Sequence, residues 1–394
     1  MYEKEKLIAV ATEGAAKYRD KGLDILKKFA GIDSGSRDVE GNAKVTAIVE
    51  EMLSEIKGIK IEKFFYEGYG YNIVAKLTPE NPTGKIILNA HMDTVFKKGD
   101  CEKHPFRIEG DDAYGLGIID CKGGIVVAIH AVKIMQERNM LPNKEICFIF
   151  NCDEEIGSPT GKEIFEKEGP GSEMAFVFEP SRLDDGILTS RKGSGSITID
   201  VVGKRAHSGV NYLDGRSAIM EVAHRMMLLY ESNLDDRGIQ FNVGPVINDD
   251  PTNVVSGHAQ AKVSVRVKNK ADMATVEEIV KRVNNAPAYI PDTVTKVTVD
   301  GFSVPMEKTP DNTAVYEMVK FAGSLIDYDL PEQATGGGSD ANKLNYMGIP
   351  SVDALGPYMY EIHSTNEHMS IASIERRTRL FCLVLGIMDD YKLK

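Results

Sequence analysis

Five side chains of types that commonly bind metal ions stand where predicted strands run into loops: His91, Asp120, Glu155, Glu179 and His363. Two imidazoles and three carboxylates suit a borderline-hard divalent cation, with zinc as the first choice and cobalt or manganese as alternatives. Five ligands fit two ions that share one bridging carboxylate better than they fit a single four-coordinate ion. We therefore expect a site for two divalent metal ions.

A further carboxylate, Glu154, lies next to Glu155 after the apolar segment Ile146–Phe150. A hydrolase with paired metal ions needs a general base beside the ions, and Glu154 is free for this role because it is not needed as a ligand. Taken alone, adjacent acidic residues are more often a solvated loop. The apolar strand before them and the four other ligand segments favour the metal site instead.

The five ligands and Glu154 lie in short motifs that follow one another in a fixed order. These motifs are His91-Met-Asp93-Thr-Val95, Tyr114-Gly-Leu-Gly117, Asp120 with Lys122-Gly-Gly124, Asp153-Glu-Glu-Ile-Gly157, Phe178-Glu-Pro180, Gly203-Lys-Arg-Ala-His-Ser-Gly209, Thr335-Gly-Gly-Gly-Ser-Asp340 and His363-Ser364. From about Leu23 onward the chain resembles the M20 family of dinuclear zinc peptidases and amidohydrolases, most of all its carboxypeptidase G2-like and peptidase T-like branches. One motif would be weak support, but the whole set in family order is specific.

The resemblance implies a cofactor of two Zn²⁺ ions per subunit and a role for each ligand. Asp120 would bridge the ions, with His91 and Glu179 completing one ion and Glu155 and His363 completing the other. A cis peptide bond after Asp120 is implied as well.

The chemistry that follows from this arrangement is hydrolysis of an amide. A water molecule between two divalent cations has its pKa lowered towards neutrality. Glu154 would take its proton as the water attacks the carbonyl, and would then pass the proton to the leaving nitrogen. Asp93 lies two residues after His91. In a strand both side chains point to the same side, so Asp93 can accept a hydrogen bond from the second imidazole nitrogen.

The elements that must position these residues alternate between strand and helix. Strand patterns cover residues 59–66, 72–77, 85–90 and 145–150, and helical patterns cover 23–29, 42–56 and 124–138. Such alternation predicts an α/β fold in which helices cover a mostly parallel sheet. The ligands then lie at the carboxyl ends of the strands, where open sheets of this class place their sites. On the helix 124–138, His130 falls outside the apolar stripe, so we expect it at the surface.

A different pattern begins near Arg191. Strands at 196–202, 242–247, 259–267 and 296–299 and helices at 214–230 and 273–284 give the β-α-β-β-α-β order of a ferredoxin-like α+β domain. Ile219, Val222, Ala223, Met226 and Tyr230 are expected on the packed side of the first helix. This segment holds none of the five ligands. We therefore predict an inserted domain at 192–302 and a discontinuous catalytic domain at 1–191 and 303–394, and the resemblance implies that the insertion is a lid and dimer interface.

Substrate contacts are implied by the resemblance alone. Arg266 would hold a substrate carboxylate with a bidentate fork, assisted by Asn242 and by the backbone N–H groups of Gly336, Gly337 and Gly338. The alternative is that Arg266 has an acidic partner within the chain. Gly186, Leu188 and Ser303 stand at positions where carboxypeptidase G2-like enzymes hold a glutamate side chain with basic and hydroxyl residues. The sequence therefore does not predict a strict glutamate preference.

His207 lies in the motif Gly203–Gly209, far in sequence from every proposed ligand. The resemblance implies that it serves the active site of the partner chain in a homodimer, where an imidazole can donate to the developing oxyanion. The alternative is a histidine that caps a turn within its own chain.

Bulk properties narrow the range of partners and locations. A formal net charge of −12 and a pI near 5.3 argue against nucleic acid as a partner, because phosphate binding needs concentrated Lys and Arg. The first residues lead into no apolar stretch long enough for a signal peptide or a membrane span. The five cysteines contain no C-x-x-C pair, and they are interpreted as reduced, mostly buried thiols of a cytoplasmic protein. Cys121 follows Asp120, but adjacency alone does not make it a ligand.

Three functions remain open from the sequence. The first is a metallopeptidase that cleaves small peptides or N-acyl amino acids with a free carboxylate. The second is a dedicated deacylase or deacetylase of one metabolite, which uses the same chemistry with a narrower pocket. The third is an inactive binding homologue. An inactive binding homologue would be expected to lack at least one metal ligand or Glu154, but the five ligands and Glu154 are all present.

Overall fold

The computed structural model describes residues 4–391. The chain forms two compact units. The first unit contains the residues up to Thr189, the segment Lys308–Ala334 and the residues from Ser339 onward. The second unit contains Ser190–Glu307 and the short segment Thr335–Gly338.

Helices and strands are numbered in chain order. The helices are α1 (Lys4–Ala30), α2 (Val39–Ser54), α3 (Asp100–Lys103), α4 (Gly124–Glu137), α5 (Gly161–Glu168), α6 (Ala218–Tyr230), α7 (Lys270–Asn284), α8 (Pro310–Ser324), α9 (Asp340–Tyr346) and α10 (Ile371–Ile387). The strands are β1 (Lys60–Tyr66), β2 (Gly70–Leu77), β3 (Lys85–His91), β4 (Arg107–Glu109), β5 (Asp112–Tyr114), β6 (Glu145–Asn151), β7 (Met174–Val177), β8 (Ile187–Arg191), β9 (Gly193–Val202), β10 (Ala206–His207), β11 (Gln240–Ile247), β12 (Val254–Val255), β13 (His258–Val267), β14 (Val294–Ser303), β15 (Glu332–Thr335), β16 (Ser351–Val352) and β17 (His368–Ser370).

The first unit is built on a six-stranded sheet with the order β1-β2-β6-β3-β7-β16. The pairs β6–β3, β3–β7 and β7–β16 are parallel, whereas β1–β2 and β2–β6 are antiparallel. Residues Ile146–Phe150 of β6 are buried on both faces, as their unbroken apolar run predicts. The predicted α/β class with a mostly parallel sheet is therefore confirmed.

Helix α4 corrects one expectation. His130 was predicted at the surface but is 2% exposed, because α4 packs against β3, α1 and α10 and presents almost no face to water. The ring of His130 lies 4.9 Å from that of Tyr18 on α1. The helix predicted at residues 23–29 is the end of α1, which begins at Lys4.

The second unit is a four-stranded antiparallel sheet with the order β11-β13-β9-β14. With α6 and α7 packed on it, this is the predicted ferredoxin-like arrangement. The apolar face of the sheet and the two helices form a separate hydrophobic core.

The packed side of α6 matches the predicted one only in part: Val222 is buried and Met226 packs against the core, as predicted. Ile219 and Tyr230 are exposed, whereas Glu221 and Arg225 are buried. These two charged residues form an ion pair of 2.7 Å inside the second unit. Pairing offsets part of the cost of burying these charges, and hydrophobic periodicity alone therefore missed both residues on the packed side.

Among residues 4–391, none of the helices combines the length and the apolar character that crossing a membrane requires.

Candidate metal centre

Asp120 lies between two histidines. Its Oδ1 is 3.0 Å from Nε2 of His91, and its Oδ2 is 3.0 Å from Nε2 of His363. Each carboxylate oxygen therefore faces a different imidazole, which is the arrangement that a carboxylate shared by two ions needs. The peptide bond between Asp120 and Cys121 is cis, as the resemblance implies.

The two other predicted ligands divide between the two histidines. Oε1 of Glu179 is 3.7 Å from Nε2 of His91, and Oε2 of Glu155 is 3.5 Å from Nε2 of His363. Oxygen and nitrogen atoms that bind one zinc ion at about 2.0–2.2 Å lie roughly 3–3.5 Å apart. The Glu155 pair lies at the upper end of this range and the Glu179 pair just above it, and both are compatible with one ion on each side of Asp120.

The sheet brings three of these ligands together. His91 ends β3, and Glu155 and Glu179 follow the neighbouring strands β6 and β7. Because β6, β3 and β7 are parallel neighbours, their carboxyl ends meet at one edge of the sheet. Asp120 and His363 come instead from irregular segments, and His363 adopts a positive φ of 62°.

Asp93 is fully buried and links the ligand His91 to the segment after β6. Its Oδ1 accepts a hydrogen bond from the backbone N–H of Glu154 at 3.0 Å, and its Oδ2 accepts one from that of Glu155 at 3.1 Å. Nδ1 of His91 lies 3.1 Å from the Asp93 carbonyl oxygen and 3.3 Å from Oδ1. The hydroxyl of Ser36 donates to Oδ2 at 2.5 Å. Asp93 therefore contacts His91 through its backbone carbonyl and its carboxylate, and it also fixes the backbone that carries Glu154 and Glu155.

The candidate base Glu154 stands in a short 3₁₀ turn, Glu154–Ile156. Within the described part of the chain its carboxylate forms no hydrogen bond, so its oxygens are free to accept a proton. Burial raises the pKa of Glu154 to about 7, close to the value that suits a general base at neutral pH.

Comparison with known proteins identifies the family. The sequence model of "Peptidase family M20/M25/M40" matches residues 87–386. The chain belongs to this family. Carboxypeptidase G2 of Pseudomonas sp. strain RS-16 is 31% identical over 384 residues, which cover 93% of this chain and 88% of that enzyme.

Solved structures show the same fold. The structure of the aminopeptidase PepT from Bacillus cereus superposes with a TM-score of 0.80 at 22% identity, covering 93% of this chain and 98% of that one. A Bacillus subtilis protein described as a dinuclear metal binding peptidase from the M20 family superposes with a TM-score of 0.69 at 15% identity, covering 95% and 99%. The predicted family is confirmed, and the chain is a hydrolase of that family.

The electrostatics of this M20 site fit the binding of divalent cations. Burial raises the pKa of Glu155 to about 8 and that of Glu179 well above its usual value, since several acidic groups share the space. A divalent cation would offset this accumulation of negative charge. The donor set of imidazole and carboxylate groups suits zinc, cobalt and manganese.

Cys121 lies close to two of the donors. Its sulfur is within 4.8 Å of the ligand atoms of His91 and Glu179. The thiol, however, donates a hydrogen bond to the carbonyl oxygen of Phe178 at 3.0 Å, and burial raises its pKa well above the usual value. All five cysteines are free and buried, as predicted.

The second unit holds the predicted substrate residues. Arg266 on β13 pairs with Gln240 on β11, and Asn242 pairs with Ser264, so both side chains lie on the face of the sheet opposite the helices. Among the described residues, no acidic side chain forms an ion pair with Arg266, which argues against an acidic partner within the chain.

The predicted glycine loop has a partner that sequence reasoning missed. The Arg191 guanidinium donates to the carbonyl oxygens of Gly337 and Gly338, both at 3.2 Å. At Gly336 and Gly337 a Cβ atom would meet nothing within 4 Å, so the loop is open on the side where a side chain would stand. Arg191 therefore holds the loop through its carbonyl groups and leaves its N–H groups to other partners.

His207 ends the two-residue strand β10 and is exposed. Its Nδ1 accepts hydrogen bonds from the backbone N–H groups of Gly209 at 3.1 Å and Val210 at 3.2 Å. A neutral imidazole bonded in this way carries its proton on Nε2, which leaves that N–H as a donor. His207 therefore caps a turn of its own chain, and the cap leaves Nε2 available.

Proposed function

We propose that the protein is a metal-dependent hydrolase that cleaves the amide bond of small peptides or N-acyl amino acids bearing a free carboxylate. The observation that carries this proposal is the position of Asp120 between His91 and His363, with Glu179 and Glu155 at ion-sharing distances on either side. Similarity to carboxypeptidase G2 over 93% of the chain supports the same class of reaction.

Each group of the centre has a separate task in this proposal. Two divalent ions, when bound by the five ligands, would supply Lewis-acid polarisation and would acidify the attacking water. Glu154 takes the water's proton on a carboxylate oxygen and delivers it to the leaving nitrogen, because nothing else in the described chain holds that carboxylate. Asp93 keeps Glu154 in reach by holding its backbone N–H at 3.0 Å.

Recognition of the substrate carboxylate is assigned to Arg266. It lies on the polar face of the second unit's sheet, and among the described residues it has no acidic partner that would neutralise it. A guanidinium matches a carboxylate with two parallel hydrogen bonds, and an ammonium does not. Arg266→Lys should therefore raise KM for carboxylate substrates with little change in kcat, and an unchanged KM would argue against this assignment.

We infer further that the protein is a homodimer through the second unit. Strand β11 is the edge of its sheet and exposes Val246 and Ile247, whereas α6 exposes Met220, Met227 and Tyr230. An open edge strand next to exposed apolar side chains is a surface that a second copy can cover. In this arrangement Nε2 of His207 is offered to the partner's active site.

The central experiment combines metal removal with one substitution. Chelation should abolish turnover of a panel of dipeptides and N-acetyl amino acids, and Zn²⁺ or Co²⁺ should restore it. Glu154→Gln should retain the metal but lose about 10²–10⁴-fold in kcat, because a positioned base contributes that much. Glu166→Gln is the matched control, since Glu166 is an exposed residue on α5. Activity that survives complete metal removal, or wild-type kcat in Glu154→Gln, would refute the mechanism. The panel also separates a broad peptidase from a dedicated deacylase.

The role of His207 is tested by complementation. Glu154→Gln and His207→Ala chains should each be inactive alone, whereas mixed dimers regain one intact site if His207 acts across the interface. Subunit exchange is verified independently with differently tagged chains. Exchange without any recovery of activity would end this part of the proposal.

A further inference from the structure

Glu367 is a buried carboxylate that the proposed chemistry does not use. It is 1% exposed and lies four residues after His363. Its Oε2 accepts a hydrogen bond from the backbone N–H of Gly117 at 3.0 Å. Its Oε1 accepts hydrogen bonds from the backbone N–H groups of Ile119 at 2.9 Å and Asp120 at 3.3 Å. One carboxylate thus holds three amides of the turn that presents Asp120.

The backbone around Glu367 is joined to the same turn. The Glu367 carbonyl oxygen accepts a hydrogen bond from the Gly115 N–H at 3.1 Å. The next residue, His368, begins β17 and pairs with Tyr114, the last residue of β5. The His368 ring stacks against Tyr114 at 4.5 Å and against Tyr360 at 4.7 Å.

The loop that carries His363 is closed at its base by the same residues. Tyr360 and His368 form a β-bridge, so the loop between them is short and anchored at both ends. Because Glu367 lies inside this loop, its side chain ties the His363 segment to the turn 117–120. The two segments are far apart in sequence, yet they must place Asp120 and His363 with 3.0 Å between Oδ2 and Nε2.

We propose that Glu367 is a positioning residue that sets Asp120 between the two histidines and thereby allows the second metal ion to bind. This inference rests on the proposed function, since it assumes that the five ligands bind metal. Glu367 touches no substrate or reacting atom. It acts through the backbone of Asp120 and through the loop of His363.

The bonding pattern requires a carboxylate rather than an amide. Both oxygens of Glu367 face N–H donors, one on the Oε2 side and two on the Oε1 side. In Glu367→Gln, the amide NH₂ must point at one of these donors whichever way the side chain is placed. The turn would then lose at least one hydrogen bond and gain a repulsive donor–donor contact.

The test is a metal titration of the full-length protein. Chelated wild-type and Glu367→Gln proteins are titrated with Co²⁺, and the visible absorption spectrum, the stoichiometry and the affinity for each equivalent are measured. Wild type should bind two equivalents. Glu367→Gln should bind the second equivalent about 10–100-fold more weakly, which is the usual loss when a group that orients a metal ligand is removed. Its Co²⁺ spectrum at one-to-one loading should differ from that of wild type, and high Co²⁺ should restore turnover.

Asp33→Asn is the matched control. The Asp33 carboxylate also accepts backbone hydrogen bonds, from Gly99 at 2.6 Å and Cys101 at 3.0 Å, but that loop carries none of the proposed ligands. It should lower the thermal midpoint while leaving both Co²⁺ affinities and the spectrum unchanged. If Glu367→Gln does not fold, as judged by circular dichroism, Glu367→Asp replaces it. Glu367→Asp keeps the charge but withdraws the carboxylate from the turn, so the same loss of affinity is expected.

The outcomes separate the two proposals. A wild-type protein that binds fewer than two Co²⁺ ions would refute the metal centre of the proposed function. If wild type binds two ions and a folded Glu367 variant binds them with the same affinity and spectrum, the proposed role of Glu367 is refuted, whereas the proposed metal centre is not. A loss of the second ion in both Glu367→Gln and Asp33→Asn would also overturn the role of Glu367, because the effect would then be general destabilisation.

Discussion

The substitution Asp93→Asn should weaken both the folded state and the binding of metal. The Asp93 carboxylate accepts hydrogen bonds from the N–H groups of Glu154 and Glu155 and from the Ser36 hydroxyl, and it lies beside Nδ1 of His91. Asparagine has the same shape but only one acceptor oxygen. Its NH₂ group must replace either Oδ1 or Oδ2.

The two placements differ in their consequences. At Oδ1 the NH₂ would face the Glu154 N–H and the His91 ring. At Oδ2 the NH₂ can donate to the Ser36 hydroxyl oxygen, because the hydroxyl can rotate and act as an acceptor. The NH₂ would still face the Glu155 N–H, and that hydrogen bond would be lost. The second placement is cheaper, and it loses one charge-assisted hydrogen bond, worth about 1.5–3 kcal/mol. We therefore expect the free energy of unfolding to fall by about 1.5–3 kcal/mol.

Metal binding should fall as well. Glu155 is a proposed ligand whose backbone would be released, and His91 would lose an ionised neighbour, so the affinity for metal should decrease about 10–100-fold. Urea denaturation of the chelated protein and competition with a chromogenic chelator measure the two quantities. Ser36→Ala is the graded comparison, because it removes one hydrogen bond from Asp93 but keeps the carboxylate and its bonds to the N–H groups of Glu154 and Glu155, so it should cause a smaller loss of metal affinity. Wild-type metal affinity in Asp93→Asn, or an equal effect of Ser36→Ala, would refute this reasoning.

Three further predictions concern stability. Burial lowers the pKa of His130 to about 3, so below pH 6.5 the unfolded chain binds a proton that the folded chain does not. The free energy of unfolding should therefore decrease as pH falls from about 6.5 towards 3, by roughly 2–3 kcal/mol at pH 4.5. His130→Phe should flatten this part of a pH series of urea unfolding curves. Glu221→Ala leaves the buried Arg225 without its 2.7 Å partner and should destabilise the second unit by about 3–5 kcal/mol in the same assay, with an unchanged midpoint as the contrary result. In Gly117→Ala the new Cβ atom would lie 2.4 Å from Thr94 Cγ2, and residue 117 has a φ of 71°, which alanine rarely adopts. The substitution should therefore lower the thermal midpoint and weaken the binding of Co²⁺. Wild-type values for both would show that the turn can relax.

Local patterns in the sequence determined much of the architecture. A short apolar run bounded by turn residues is typical of an inner strand that is buried on both faces, and β6 is found where its residues predict it. The β-α-β-β-α-β order likewise predicts the second unit, because hydrophobic periods of 2.0 and 3.6 residues are properties of neighbouring positions. Residue type and motif order were also enough to nominate His91, Asp120 and His363 as ligands.

Other features depended on contacts between distant segments. His130 appears polar and peripheral on its own helix, and only the packing of α1 and α10 around α4 buries it. Glu221 and Arg225 were missed on the packed side of α6, where they bond to residues beyond the helix: Arg225 donates to the carbonyl oxygens of Val283 and Ala286, and Glu221 accepts from the N–H of Ile290. Neither outcome can be obtained from one helix alone, since the residues that bury or bond these side chains lie in other segments.

The geometry of the metal centre belongs to the tertiary structure as well. The residue types were readable from the sequence, but the carboxylate of Glu367 bonds to amides about 250 positions earlier in the chain. Ser36 reaches Asp93, and Arg191 reaches the glycine loop, in the same long-range way. A sequence specifies which hydrogen-bond donors and acceptors exist, whereas only the folded chain determines which of them meet. A hydrogen bond forms only between groups about 3 Å apart, and the hydrophobic periodicity of a segment does not indicate which distant group will lie that close.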